Sequence, residues 1–177
     1  LATEVLRKLD SELALQSFGT WFSDRLDHIV SSGAVATAVG TPRALTELMI
    51  SLSDLSSGES LYDPACGLGG TLAAAWTCNP ALRLRGVDLH PFSWAMCSLR
   101  LHLLGATAEV LLADALREGG ESYLSDRVVC DPPLGSYWAG DPDNLMDRAG
   151  GHEWRGKRLD SQFLDLTAHC LTQRGRA

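Results

Sequence analysis

Asp63-Pro-Ala-Cys-Gly-Leu-Gly-Gly70 follows a short stretch, Ser60–Tyr62, and precedes a run of small residues, Thr71–Thr77. This reads as a strand, a glycine turn and a helix. Three glycines in the turn let the backbone take positive φ and approach a ligand closely. The same rhythm continues downstream. Asn79-Pro80 ends the helix, Leu84–Asp88 reads as a second strand, and Pro91–Leu104 as a helix closed by Gly105, with Phe92, Ala95, Met96, Leu99 and Leu103 inward. Glu109–Ala113 and Arg127–Cys130 read as third and fourth strands, with room for one short helix between Leu116 and Ser125. Ser161–Thr172 is expected to be a helix burying Phe163, Leu164, Thr167, Ala168 and Leu171. Strands alternating with helices predict an α/β domain: a parallel sheet covered on both faces, with ligands at the carboxyl ends of its strands.

Upstream, Thr41-Pro42 opens a helix, with Thr41 as N-cap, Pro42 at the first helical position, and Leu45, Leu48, Met49 and Leu52 on one face. Residues 2–16 carry a helical apolar period, as do Phe18, Trp21, Phe22, Leu26 and Ile29. Ser31-Ser-Gly-Ala34 and Gly40 then punctuate the chain. Two domains are expected, an N-terminal helical segment over 1–40 and the α/β domain over 41–177.

With 177 residues and 45% hydrophobic content, the chain is long enough for one such domain with a substantial core. No apolar run approaches the ~20 residues that span a bilayer. Cys66, Cys78, Cys97, Cys130 and Cys170 are scattered without a C-x-x-C pair, which points to a reduced, cytoplasmic protein without a zinc site. A net charge of −7 and a pI near 5.1 argue against a free-standing DNA-binding domain. The one local basic cluster is Arg148, Arg155, Lys157 and Arg158, either a solvated loop or a phosphate contact. The chain opens at Leu1 and stops at Gly175-Arg-Ala177, and it reads as an excerpt from something longer.

Acids stand at the strand ends. Asp88 lies 25 residues beyond Asp63, where one carboxylate can accept both hydroxyls of a ribose; the alternative is a helix cap. Asp114 lies 26 residues further, placed to accept from the exocyclic amine of a bound adenine. Phe92 is positioned either to stack on that base or to pack in the core. An acid ahead of the glycines would repel a pyrophosphate but hold a cationic amino-acid moiety, so Asp63 favours S-adenosylmethionine over a nicotinamide dinucleotide. Asp131-Pro132-Pro133 ends the fourth apolar run. An exocyclic amine is a poor nucleophile because its lone pair is delocalised into its ring. The Asp131 carboxylate and an adjacent backbone carbonyl can accept its two hydrogens, favouring a tetrahedral nitrogen, while the prolines hold those acceptors rigid. The alternative for this segment is a plain strand-ending turn.

On these residues, Thr41 to Ala177 resembles the gamma class of N6-adenine DNA methyltransferases, most of all the modification subunits of type I restriction–modification systems. The family's Thr-Pro helix corresponds to Thr41-Pro42, its D-P-A-C-G-x-G-G to Asp63–Gly70, its ribose and adenine acids to Asp88 and Asp114, and its N/D-P-P-F/Y to Asp131–Leu134. The resemblance implies a Rossmann-like fold binding S-adenosylmethionine through Thr41, Asp63, Ala65, Cys66, Gly67, Gly69, Gly70, Asp88, Leu89, Asp114 and Ala115. Asp131, Pro132, Pro133 and Leu134 would receive an adenine flipped out of DNA, and no metal is implied. It places the helix from Ser161 and the turn Gly175-Arg-Ala177 before a fifth strand, so the sheet is expected to stop after its fourth. DNA would be engaged through domains outside this sequence or a specificity subunit.

Leu134 departs from the family's Phe or Tyr. Leucine offers apolar contact without a π-face, which would weaken base capture by ~1–3 kcal/mol; Tyr137 and Trp138 are candidate substitutes. Two other functions fit the same motifs: methylation of another amine acceptor, in RNA or protein glutamine, and a non-catalytic module that binds the cofactor.

Overall fold

The structure, a computed structural model, describes residues 12–33, 40–118, 123–133 and 158–177. Two helices, α1 (Glu12–Ser31) and α2 (Arg43–Leu52), precede the sheet. Strands β1 (Ser60–Asp63), β2 (Arg83–Asp88), β3 (Ala108–Leu112), β4 (Ser125–Val128) and β5 (Leu171–Arg176) alternate with α3 (Gly70–Cys78), α4 (Pro91–Leu103), α5 (Ala115–Glu118) and α6 (Leu159–His169). The spatial order is β3-β2-β1-β4-β5, and every neighbouring pair is parallel. The chain builds outward from β1 to β3, then returns to the other side of β1 as β4. That reversal opens a crevice at the carboxyl ends of β1 and β4, where parallel α/β sheets bind ligands.

Alternation along the strands feeds two cores. Leu61 packs with Ile50 of α2, Leu72 of α3 and Leu101 of α4 on one face. Its neighbour Tyr62 packs with Leu116 of α5 and with Phe163 and Leu166 of α6 on the other. At the opposite, amino-terminal edge, the buried Arg127 of β4 pairs with Glu59 at 3.0 Å and donates to the carbonyls of Ser53 (2.9 Å) and Asp54 (3.0 Å). This clamp ties the end of α2 to the sheet and holds Asp54 at a left-handed φ of 49°.

Several expectations are corrected. The sheet does not stop after four strands: residues 171–176, expected to be a helix end and a turn, form β5, pairing Ser125 with Leu171 and Arg127 with Arg176. This strand carries Thr172, Gln173 and Arg174 rather than an apolar run, because it pairs with only β4 and is partly exposed. Thr41 is not the cap of α2. Pro42 holds that place with extended ψ of 140°, and its carbonyl accepts from Leu45 and Thr46.

The helix faces also differ. In α2, Thr46 and Ile50 are buried while Leu45, Leu48 and Leu52 face out, Leu52 at 75% exposure. In α4 the buried face is Ser93, Cys97, Arg100 and Leu101, one residue round from the expected stripe. In α6, Gln162, Phe163 and Leu166 are buried and Leu164 is exposed. The N-terminal stretch from Glu12 to Ser31 is one continuous helix rather than two; residues 1–11 lie outside the described residues. No described helix is long and apolar enough to cross a membrane.

Candidate active site

The glycine turn owes its shape to two left-handed residues, Gly67 at φ 54° and Gly69 at φ 75°. Gly69 caps α3, and its amide donates to the Cys66 carbonyl at 2.8 Å. A Cβ on Gly69 would lie 2.7 Å from the Cys97 sulfur, so the turn rests directly on α4. The Cys66 amide donates to the Val87 carbonyl at 3.0 Å, tying the turn to the end of β2. The Cys66 and Cys97 thiols, both free, are hydrogen-bonded to each other, and this hydrogen bond and then burial hold the Cys66 thiol far above its ordinary pKa. It is therefore a neutral packing group.

Three acids meet around this turn. Asp63, 2% exposed at the end of β1, accepts the Ala65 amide at 3.1 Å. Burial pushes its carboxyl up to about 7, the charges of Asp88 and Asp131 push the same way, and hydrogen bonds from Ala65 and Thr71 pull back. Asp88, at the end of β2, accepts the Gly67 amide on Oδ2 and the His90 amide on Oδ1, both at 2.8 Å. It thus bridges the turn and the start of α4, with lone pairs left for a ligand hydroxyl. Asp131 follows β4 across the crevice, and burial among Asp63 and Asp131 holds the Cys130 thiol well above its usual range. None of the three acids makes an ion pair with a described residue.

The structure brings Thr41 to this centre too, since a Cβ on Gly70 would lie 3.6 Å from the Thr41 carbonyl. Asp114 stands after β3; it accepts the Leu116 amide at 3.1 Å and pairs with Arg117 at 3.4 Å. Ala115 is buried in the core beneath it, so only its backbone can face a ligand. Leu89 and Phe92 are surface residues, Phe92 at 63% exposure, and the core reading of Phe92 is corrected. Pro132 is half-buried and Pro133 exposed. Leu134, Tyr137, Trp138 and Arg148, Arg155 and Lys157 of the basic cluster lie outside the described residues; Arg158, its last member, pairs with Asp160 at 2.9 Å. Nothing in the spacing marked Cys97 or Arg100 as the floor of the turn, because both contacts span long stretches of chain. Among the described residues no group of three or more His, Cys, Asp or Glu is placed to hold a metal ion.

A tight glycine turn, acids at successive strand ends and an acidic crevice at the β1/β4 reversal fit a nucleoside carrying a cationic tail. They do not fit a pyrophosphate, which the three carboxylates would repel. The fold is that of class I S-adenosylmethionine-dependent methyltransferases. A Listeria monocytogenes protein designated as one superposes with a TM-score of 0.72 at 18% identity, over 89% of this chain and 52% of that one. The sequence profile of the N-6 DNA Methylase family matches residues 26–177, and the chain belongs to that family. The methylase subunit of the Escherichia coli type I restriction enzyme EcoEI is 28% identical over the whole of this chain and 40% of its own length. A type I restriction–modification methyltransferase subunit from Streptococcus thermophilus superposes with a TM-score of 0.66 at 23% identity, covering 77% of this chain and 33% of that one. The chain thus spans less than half the length of these two type I subunits.

Proposed function

We propose that this chain is the cofactor-binding and catalytic part of a DNA methyltransferase that modifies adenine N6, acting as the modification subunit of a type I restriction–modification system. The observation that carries this reading is the meeting of Asp63, Asp88 and Asp131 at the β1/β4 crevice. It brings the cofactor turn and the Asp-Pro-Pro segment to one place. S-adenosylmethionine, when bound, supplies a methyl group on a sulfonium. Asp88 would hold the ribose hydroxyls, Asp63 would face the cationic amino-acid end with Thr41 and Gly67–Gly70, and Asp114 and Phe92 would serve the adenine. Asp131 and an adjacent carbonyl would accept the two hydrogens of the target amine. The rigid Pro132-Pro133 would fix that geometry, and Leu134 would give the base apolar contact.

The expected partners are DNA, in keeping with the description of the N-6 DNA Methylase family, and further subunits, since the type I relatives are each called a subunit; a specificity subunit is the one expected, with the cytoplasm as the compartment. Residues 1–40 would form the N-terminal helical segment of this protein and 41–177 the methyltransferase part. Calorimetric titration with S-adenosylmethionine tests the reading. Binding in the micromolar range, lowered at least ~100-fold by Asp88→Ala, is the expected result. No binding by the unaltered chain would overturn it. Binding without methylation of DNA by the full-length protein, but with methylation of RNA or a glutamine peptide, would move the acceptor and leave the cofactor site in place.

A further inference from the structure

Arg100 lies in the middle of α4 with its side chain only 3% exposed. A buried guanidinium needs partners for its donors, and here they come from two separate places. From α1, Asp27 Oδ1 accepts at 2.7 Å and Ser23 Oγ at 2.9 Å. From the glycine turn, the Leu68 carbonyl accepts at 3.5 Å, and a Cβ on Gly70 would lie 3.8 Å from Nη1. One turn earlier in α4, Cys97 lies beneath Gly69. One turn later, the Leu103 carbonyl meets α1 so closely that a Cβ on Gly19 would lie 2.1 Å away. Helix α4 is therefore wedged between α1 and the turn, and Arg100 is the side chain that touches both.

We propose that Arg100 is a positioning residue that couples the docking of α1 to the conformation of the cofactor turn, so that α1 sets cofactor affinity from outside the site. With Asp27 in place, the guanidinium is neutralised and its remaining donors aim at the turn. Without it, a buried cation turns toward solvent or draws on the turn's carbonyls, and residues 67–70 lose their floor. This rests on the proposal that the turn holds S-adenosylmethionine.

The test uses the full-length protein with Asp27→Asn, and Ser23→Ala as a milder variant. Asp27→Glu is the conservative rescue. Asp24→Asn is the control, because Asp24 pairs with the exposed Arg43 at 2.8 Å on the same helix. Amide hydrogen exchange is read at Gly69 and Ala73, and at Leu84 in β2 as the measure of global stability. Asp27→Asn is expected to speed exchange in the turn by roughly fivefold or more with Leu84 unchanged, and to weaken S-adenosylmethionine binding by about five- to tenfold. Asp27→Glu should restore much of both, and Asp24→Asn should change neither. Unchanged exchange in the turn, or equal acceleration at the turn and Leu84, would overturn the coupling, as would unchanged affinity despite a loosened turn. Should the unaltered protein take up no S-adenosylmethionine, the cofactor reading falls while the exchange data still decide whether α1 holds the turn.

Discussion

At Asp63 the proposed cofactor contact and stability pull in opposite directions. Its carboxyl keeps a proton up to about 7 in the folded chain against 3.8 for the free group. Between those values the folded state binds more protons than the unfolded one, so stability falls as pH rises from about 4 to about 7. The loss is roughly 2–4 kcal/mol, and urea unfolding across that range should show it flattened in Asp63→Asn. A cation beside Asp63 favours the ionised form, so affinity for S-adenosylmethionine should rise with pH through about 7, a rise that Asp63→Asn removes. The acid and its strand-end position were both readable from the sequence. Its near-complete burial was not, because burial is set by segments far apart in the chain, of which Asp88 and Asp131 lie close enough for their charges to act on it.

At the scale of elements, the glycine turn and α4 are a single fitted pair. Gly69→Ala would combine a left-handed φ with a 2.7 Å contact to the Cys97 sulfur. It is expected to lower stability by about 2–4 kcal/mol and to abolish cofactor uptake, as thermal melting and calorimetry would show. The small residues Ser93 and Cys97 explain why the buried face of α4 differs from its apolar stripe. Close approach selects small side chains, and the apolar periodicity of Phe92, Met96 and Leu99 pointed one residue away. Arg100 belongs to the same hidden face, since a buried arginine is legible only once Asp27, 73 residues earlier, is seen beside it. The strands β1 to β4 were found near their true places because their ends carry acids, glycines and prolines. The polar β5 carries no such mark beyond Gly175.

For the molecule as a whole, the two edges of the sheet have separate tasks. The carboxyl edge gathers the acids and the glycine turn, whereas the amino edge is braced by Arg127. Glu59→Ala would strip the one carboxylate that, among the described residues, pairs with that buried guanidinium. A loss of about 3 kcal/mol is expected in denaturant unfolding, with cofactor affinity per folded molecule preserved because the site lies at the other edge. A net charge of −7 gives a polyanion such as DNA little reason to approach this part alone; under the proposed function, other parts of the protein or a partner would meet the phosphates. The Cys66–Cys97 pair has a practical consequence. Both sulfurs are buried, that of Cys97 beneath Gly69 and that of Cys66 against Gly86 of β2, whereas Cys78 lies open on the surface. A thiol-alkylating reagent would therefore mark Cys78 at once and the inner pair only when the turn lifts. The ratio of the two labelling rates is a clock, built into the chain, for how often its binding site opens.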